Sequence, residues 1–346
     1  MKFYYCISVS LSLLLALVVS CHAADRKPNI IFILTDDQGY GDVGEHGNPV
    51  LKTPNIDRFH AESIRFTDFM VSPSCAPTRC VLMTGMHEFK SGVTHTIEPW
   101  RKMNPKSVTT AQVLKSAGYK TGIFGKWHLG QSEEHRPNNR GFDEALNVAK
   151  DSQNSHFNPG MMHNGVFEKF KGYREDILFA EAAKFIEKNK DVPFFCYIPT
   201  YSPHGPNKVP AEYSEPYGDH PAAKFFGQIA NIDMNIGLLL EKLKELKLEE
   251  NTLVVLMNDN GGTWGVDTWN AGMRGHKGTP WFGGTRAMSF WRWPGTLEPR
   301  NEDHLSAHLD ILPTFAEIAG AKLSDKHRQQ LDGVSLLPLL RNPKVD

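Results

Sequence analysis

Two acidic pairs carry the first chemical signal in this chain. Asp36-Asp37 and Asp259-Asn260 each set hard oxygen donors side by side, the ligand type that Ca²⁺ or Mg²⁺ requires. Adjacent carboxylates on a buried edge repel one another, and a cation relieves that repulsion. Either pair alone also reads as a turn former or helix cap; both together, each behind an apolar run, point to a cation site. A second signal is the run Ser72 to Gly85, where Pro73 and Pro77 brace Cys75 and Arg79 follows one helical turn later. A third is Lys126-x-His128, which by itself reads as solvated surface, and a fourth is Ser202-Pro203-His204.

Those groups need a scaffold to bring them together. Asn29 to Leu34, Pro193 to Ile198 and Leu253 to Met257 are short continuous apolar runs rich in β-branched and aromatic residues, as expected of strands covered on both faces in a parallel sheet. They run out into Thr35-Asp36-Asp37, Ser202-Pro203-His204 and Asn258-Asp259-Asn260 respectively. In open α/β sheets, ligands collect beyond the carboxyl ends of the strands, so the three tails predict one site. Phe225, Ile229, Ile232, Ile236, Leu239 and Leu243 recur at helical spacing and predict one buried stripe. Further helices are expected over Thr109 to Ser116, Ile177 to Lys188, and Asp310 to Ala319, the last with Asp310 as cap and Pro313 in the tolerant first turn. Gln131 to Asn158 and Pro199 to His220 read as long surface loops, which at this length are usually functional.

Composition narrows the class. The 346 residues suit one large α/β domain with a small annex, and 40% hydrophobic with 22% charged residues excludes a disordered chain. Lys plus Arg number 38 against 39 Asp plus Glu, so bulk charge favours neither nucleic acid nor an anionic membrane. Residues 1–24 have the layout of a secretory signal: Lys2, an apolar run from Ile7 to Val19, then small residues through Ala24. Val18-Val19-Ser20-Cys21 also resembles a bacterial lipobox, which would make Cys21 an acylated first residue and the only membrane anchor. A secreted or periplasmic location follows. With Cys6 and Cys21 in that segment, the body keeps Cys75, Cys80 and Cys196; an odd number in an oxidising compartment suits either buried unpaired thiols or a modified Cys75 or Cys80.

Cys75-x-Pro77-x-Arg79 followed by Leu82-x-Thr84-Gly85 resembles the signature of type I sulfatases, and Gly118-Tyr-Lys-Thr-Gly-Ile-Phe-Gly-Lys-Trp-His-Leu-Gly130 is similar to their second signature. The likeness runs from Asn29 to about Leu340 and takes in Asp332 to Pro338. It implies an alkaline-phosphatase-like α/β sandwich with a large mixed, mostly parallel sheet between helices, residues 25–346 forming the catalytic domain. It further implies that a separate maturation enzyme oxidises Cys75 to formylglycine. Asp36, Asp37, Asp259, Asn260 and an oxygen of the modified Cys75 would ligate Ca²⁺, or Mg²⁺. Arg79 would hold the modified side chain, and Lys126, His128, His204 and Lys277 would surround the sulfate of a sulfated small molecule or carbohydrate.

The chemistry so implied is hydrolysis of a sulfate ester. One hydroxyl of the hydrated aldehyde would attack sulfur and the other would lose a proton to release sulfate, with His204 beside Lys277 protonating the leaving alcohol and His128 assisting the proton removal. A phosphonate monoester or phosphodiester hydrolase of the same fold is the alternative, as is a non-catalytic anion-binding protein if Cys75 stays unconverted. Two departures accompany the resemblance. Phe282 stands where many members have Glu, in a loop that keeps Lys277 and Arg286, and the small antiparallel subdomain usual after Leu340 has no counterpart before Asp346. Cys80 reads as a small buried helix residue. Gly275, Gly278, Gly283 and Gly284 are expected to let the Lys277 loop approach a ligand with its backbone.

Overall fold

The computed structural model describes residues 26–149 and 155–344. The expected signal segment, with Cys6 and the lipobox Cys21, lies outside them. Among the described residues no helix is long and apolar enough to cross a membrane.

The strands are β1 (Asn29–Asp36), β2 (Ile64–Phe66), β3 (Phe69–Met70), β4 (Lys120–Phe124), β5 (Glu144–Val148), β6 (Gly160–His163) and β7 (Val166–Lys169). They continue with β8 (Phe194–Pro203), β9 (Thr252–Asn258), β10 (Arg286–Ala287), β11 (Ser289–Arg292), β12 (Arg300–Glu302) and β13 (Ser306–Ala307). Ten of them form one sheet in the order β12-β2-β11-β9-β1-β8-β4-β5-β6-β7, and β10-β3-β13 form a small second sheet. The centre is parallel: β1 pairs with β8 and β9, and β4 with β8 and β5. Towards the edges β11 runs antiparallel to β9 and β6 antiparallel to β5.

The period-two alternation of β1 divides the core. Ile30, Phe32 and Leu34 face a layer that holds α2 (Cys75–Thr84), α3 (Thr110–Ser116) and α6 (Ile311–Ile318), while Ile31 and Ile33 face α4 (Arg174–Lys188) and α5 (Ala223–Glu245). Coverage on both faces is why these strands read as unbroken apolar runs. All six residues of the stripe on α5 are buried, and α3 starts at a capping box between Thr109 and Gln112.

Three expectations need correction. Gln131 to Asn158 is not all loop, because β5 crosses it at the parallel edge, hydrogen-bonded to β4; the partner supplies the order that the sequence Glu-Ala-Leu-Asn-Val signals weakly. Likewise, β8 does not stop at Ile198 but runs to Pro203, so the loop begins at His204. Asp310 does not cap its own helix: its carboxylate accepts from the Ala307 and Val334 amides, both at 2.9 Å, tying the chain beyond α6 back to the helix start. The three body cysteines are all free and buried.

Candidate active site

Four neighbouring parallel strands release their polar tails at one end of the sheet. β1 ends at Asp36, followed by Asp37 in the left-handed region (φ 70°); β9 leads into Asp259 and Asn260; β8 leads into His204; and β4 leads into Lys126 and His128. The first three were legible as strand tails; β4 was visible only as a motif. Gly125 lets β4 turn there, since a Cβ at its φ of 142° would sit 1.9 Å from the Pro199 carbonyl oxygen. With that approach open, the Lys126 amide donates to the same oxygen at 2.7 Å, which sets the direction of the lysine.

Cys75 opens α2, a ten-residue helix buried along its whole length, and is itself 1% exposed. Its Sγ lies 3.9 Å from Asp37 Oδ1, and ligand atoms of Asp36, Cys75 and Asp259 all fall within 4.8 Å of one another. Burial pushes the thiol up to about 12, with Asp36, Asp259 and Asp37 adding to the shift and Lys126 opposing it. As a thiol, Cys75 is therefore protonated and inert at neutral pH.

Cations compensate the acids around it. Lys126 Nζ donates to Asp36 Oδ2 at 2.6 Å, and Lys277 Nζ reaches both Asp37 oxygens at 2.6 Å. Arg79 Nε and Nη2 donate to Asp259 Oδ2 at 3.0 and 2.8 Å, and Nη1 to the Lys126 carbonyl at 2.9 Å. In the present thiol form Arg79 thus clamps a carboxylate and the Lys126 backbone rather than Cys75, because an ionised oxygen is the stronger acceptor. Burial alone would raise Asp36, but Lys126, His204, Arg79 and Lys277 together hold it well below the carboxylate range. Asp259 goes the other way, up to about 7, through burial and then the Asp36 charge. Burial works against the Lys126 and Lys277 ammoniums as well, yet their acidic surroundings raise both above the ordinary value.

Two buried oxygens, Asp36 Oδ1 and Asn260 Oδ1, have no hydrogen-bond partner among the described residues; Arg79 Nη2 stands 3.5 Å from the former. Orphaned buried oxygens among close-set carboxylates are what a hard divalent cation would satisfy. The donor set of Asp36, Asp37, Asp259 and Asn260 therefore fits such an ion.

The two histidines differ. His128, at φ 63°, has Nε2 3.0 Å from the Thr96 carbonyl; that oxygen only accepts, so Nε2 carries the proton and the buried, unpartnered Nδ1 presents a lone pair. Burial, then Lys126 and Arg79, lowers its pKa to about 2. By contrast, the side chain of His204 is 44% exposed; Nδ1 lies 2.7 Å from the Gly205 carbonyl and Nε2 3.7 Å from Asp37 Oδ2.

The Lys277 loop is fixed by its backbone: Lys277 N donates to Gly262 O at 3.1 Å and Gly278 N to Pro73 O at 2.7 Å, tying it to the loops of Asp259 and Cys75. Three of its glycines allow close internal packing, while a Cβ at Gly278 would meet nothing within 4 Å. A Cβ at Gly283 or Gly284 would come within 2.2 Å of the carbonyls of Gly275 or Thr279. Arg286 lies apart, donating to the Thr67 carbonyl and covering the Tyr40 ring at 4.4 Å; Phe282 is exposed.

Six residues of the cluster, Asp36, Cys75, Lys126, His128, His204 and Lys277, line a cavity of about 580 Å³. Sequence reasoning missed several other residues of its lining, among them Arg136, Asn147, His156 and Arg174. No local motif marks them, for they come from separate loops and from the strand that read as loop.

Comparison with known proteins agrees with this geometry. The family profile named Sulfatase matches residues 28–321. Human arylsulfatase A is 33% identical over 95% of this chain and 70% of its own length. Human N-acetylgalactosamine-6-sulfatase is 31% identical over 92% of this chain and 66% of its own length. The crystal structure of Ps i-CgsB in complex with k-i-k-neocarrahexaose superposes with a TM-score of 0.84 at 31% identity, covering 91% of this chain and 76% of that one. With the two signatures, the mixed α/β sandwich and these relatives in hand, the chain belongs to the sulfatase family.

Proposed function

We propose that this chain is a sulfuric ester hydrolase that cleaves R–O–SO₃⁻ to an alcohol and inorganic sulfate, acting on a sulfated carbohydrate. The observation that carries the reading is the buried gathering of Cys75, three carboxylates, Asn260 and two ammoniums beside a cavity that Asp36, Cys75, Lys126 and Lys277 line. The names of two relatives, one an N-acetylgalactosamine-6-sulfatase and one solved with a neocarrahexaose, support a sugar substrate, and the cavity volume is ample for one. Conversion of Cys75 to formylglycine by a maturation enzyme, and a divalent cation held by Asp36, Asp37, Asp259, Asn260 and the converted side chain, would supply the oxygen nucleophile and the Lewis acidity that the thiol lacks.

The residues in place perform the rest. Lys126 and Lys277, both charged, face the reacting end and stabilise the negative charge that grows on the sulfuryl oxygens. His204 points Nε2 towards the cavity; in its doubly protonated form it delivers that proton to the departing alcohol oxygen. His128, neutral with its lone pair on Nδ1, would accept a hydrogen bond from the Cys75-derived hydroxyl and so assist its loss of a proton when sulfate is released. Arg79 positions Asp259 and the Lys126 backbone. The test is turnover of nitrophenyl sulfate against a nitrophenyl phosphodiester by the converted protein. Faster cleavage of the sulfate is expected; preference for the phosphodiester would move the assignment to phosphorus chemistry.

A further inference from the structure

One fully buried carboxylate has no part in the chemistry so far described. Glu175, in the first turn of α4, is 0% exposed, and a carboxylate away from water must find its donors inside the protein. Its Oε1 accepts from Arg174 Nε at 3.0 Å, from the Ser202 amide at 3.1 Å and from the Ser202 hydroxyl at 2.9 Å, while Oε2 accepts from the Tyr201 amide at 3.4 Å. Arg174 and Tyr201 line the cavity and Glu175 does not, so Glu175 can act on the reaction only through what it holds.

What it holds is the end of β8, next to the proposed acid. Pairing of β8 with β1 is regular up to Leu34 with Pro199, and the next pair is Asp36 with Pro203, so the strand bulges between Pro199 and Pro203. A bulge leaves its extra amides without ladder partners, and the Glu175 carboxylate supplies them at Tyr201 and Ser202. The Thr200 hydroxyl donates to the Ser202 carbonyl at 2.6 Å, and Gln228 Nε2, from α5, donates to the Ser202 hydroxyl at 3.3 Å; all three side chains are buried. His204 follows directly after Pro203. Its side chain is half exposed, and its Nδ1 donates to the carbonyl of the very next residue, Gly205, at 2.7 Å. Packing around the ring therefore does little to aim Nε2, and its place follows from the backbone that Glu175 fixes.

We infer that Glu175 is a positioning residue for His204: its carboxylate fixes the bulged end of β8 and so sets how closely Nε2 approaches the oxygen of the departing alcohol. The inference rests on the sulfate-ester reading and on His204 as its acid. Glu175→Gln keeps the shape of the side chain but turns one acceptor oxygen into an NH₂ group, which then faces donors of Tyr201, Ser202 or Arg174. Release of the bulge rather than loss of the fold is the expected result, because the regular ladder from Ile30 to Leu34 lies before it.

The experiment uses ring-substituted phenyl sulfates of similar size, from nitrophenyl to methoxyphenyl sulfate, with the converted protein. Nitrophenolate departs readily without a proton, whereas the methoxyphenol oxygen needs one, so the series reads how well the acid is placed. Glu175→Gln should lose about 10- to 100-fold in kcat on methoxyphenyl sulfate, the scale of a displaced catalytic group, and far less on nitrophenyl sulfate. In a His204→Ala background the same substitution should cost nothing further, because it acts through the histidine. Melting temperatures verify folding. Should the first variant not fold, Glu175→Asp, which keeps the charge at a shorter reach, takes the same comparison; failure of both to fold overturns the inference by making Glu175 a residue of the fold. Equal losses across the series, or the full loss repeated in the His204→Ala background, overturn it as well. No sulfate release by the converted parent protein from any member would remove the sulfate-ester reading and this inference with it, whereas release with equal losses removes the inference alone.

Discussion

Replacing Lys277 by Ala separates a catalytic lysine from a surface one. The ammonium sits 2.6 Å from both Asp37 oxygens on a side chain 22% exposed, so the change removes one partly screened ion pair. Asp37 keeps the Asn260 amide at 3.0 Å, and the loop keeps its backbone ties to Gly262 and Pro73. The stability loss should therefore stay near the value for a partly exposed pair, about 1 kcal/mol, which in a domain of this size lowers Tm by roughly 1–2 °C. The loss in turnover should be larger. A preorganised donor aimed at developing charge is worth about 10² to 10³ in rate, or about 2.7–4 kcal/mol. Steady-state kinetics on nitrophenyl sulfate, with a thermal melt of the same sample, checks both figures. Near-normal kinetics in a folded variant would refute the reasoning and leave Lys126 as the principal lysine of the pocket; collapse of the fold would show that Lys277 is structural.

Divalent cation should raise the Tm of the metal-stripped protein, by the equivalent of about 2.7 kcal/mol at a hundredfold excess over Kd, and Asp36→Asn should blunt that rise; a melt indifferent to Ca²⁺ and Mg²⁺ would remove the metal site. Asp42 is buried with Oδ1 unpartnered, and burial lifts it to about 7 although the Gly39 amide lowers it. A carboxyl raised in the folded state contributes stability that is complete below its unfolded pKa near 4 and is lost as pH climbs through about 7. Asp42→Asn should accordingly flatten the decline between pH 4 and 7 in urea melts, and parallel profiles for the two proteins would contradict this. Cys80→Ala should retain much of the activity, because Cys80 is a buried helix residue outside the group formed by Asp36, Cys75 and Asp259; a loss comparable to that from Cys75→Ala would mean Cys80 takes part.

What the sequence revealed and what it hid follow from how local each signal is. Asp36, His204 and Asp259 were legible because an apolar run followed by polar residues marks a parallel strand and its carboxyl end within ten residues. The stripe on α5 was legible for the same reason, its period being complete within one element. β4 escaped as a strand because its five residues, Lys-Thr-Gly-Ile-Phe, carry polar and glycine positions that only the pairing with β8 makes acceptable. The Arg79 clamp on Asp259 joins residues 180 apart in sequence, and the Lys277 ion pair with Asp37 joins residues 240 apart. No spacing rule reaches such contacts. The glycines of the Lys277 loop were noticed for close backbone approach, and at Gly275, Gly283 and Gly284 the loop's own atoms make that approach.

The central proposal is that Cys75 works only after conversion, its thiol being pushed up to about 12 by burial and by the three carboxylates around it. The most direct test is to prepare the protein with graded degrees of conversion, quantify the converted Cys75 peptide by mass spectrometry, and measure sulfate release from an aryl sulfate on each sample. Specific activity should rise in proportion to the converted fraction and extrapolate to zero at none. Full-rate turnover by wholly unconverted Cys75 protein would contradict the account.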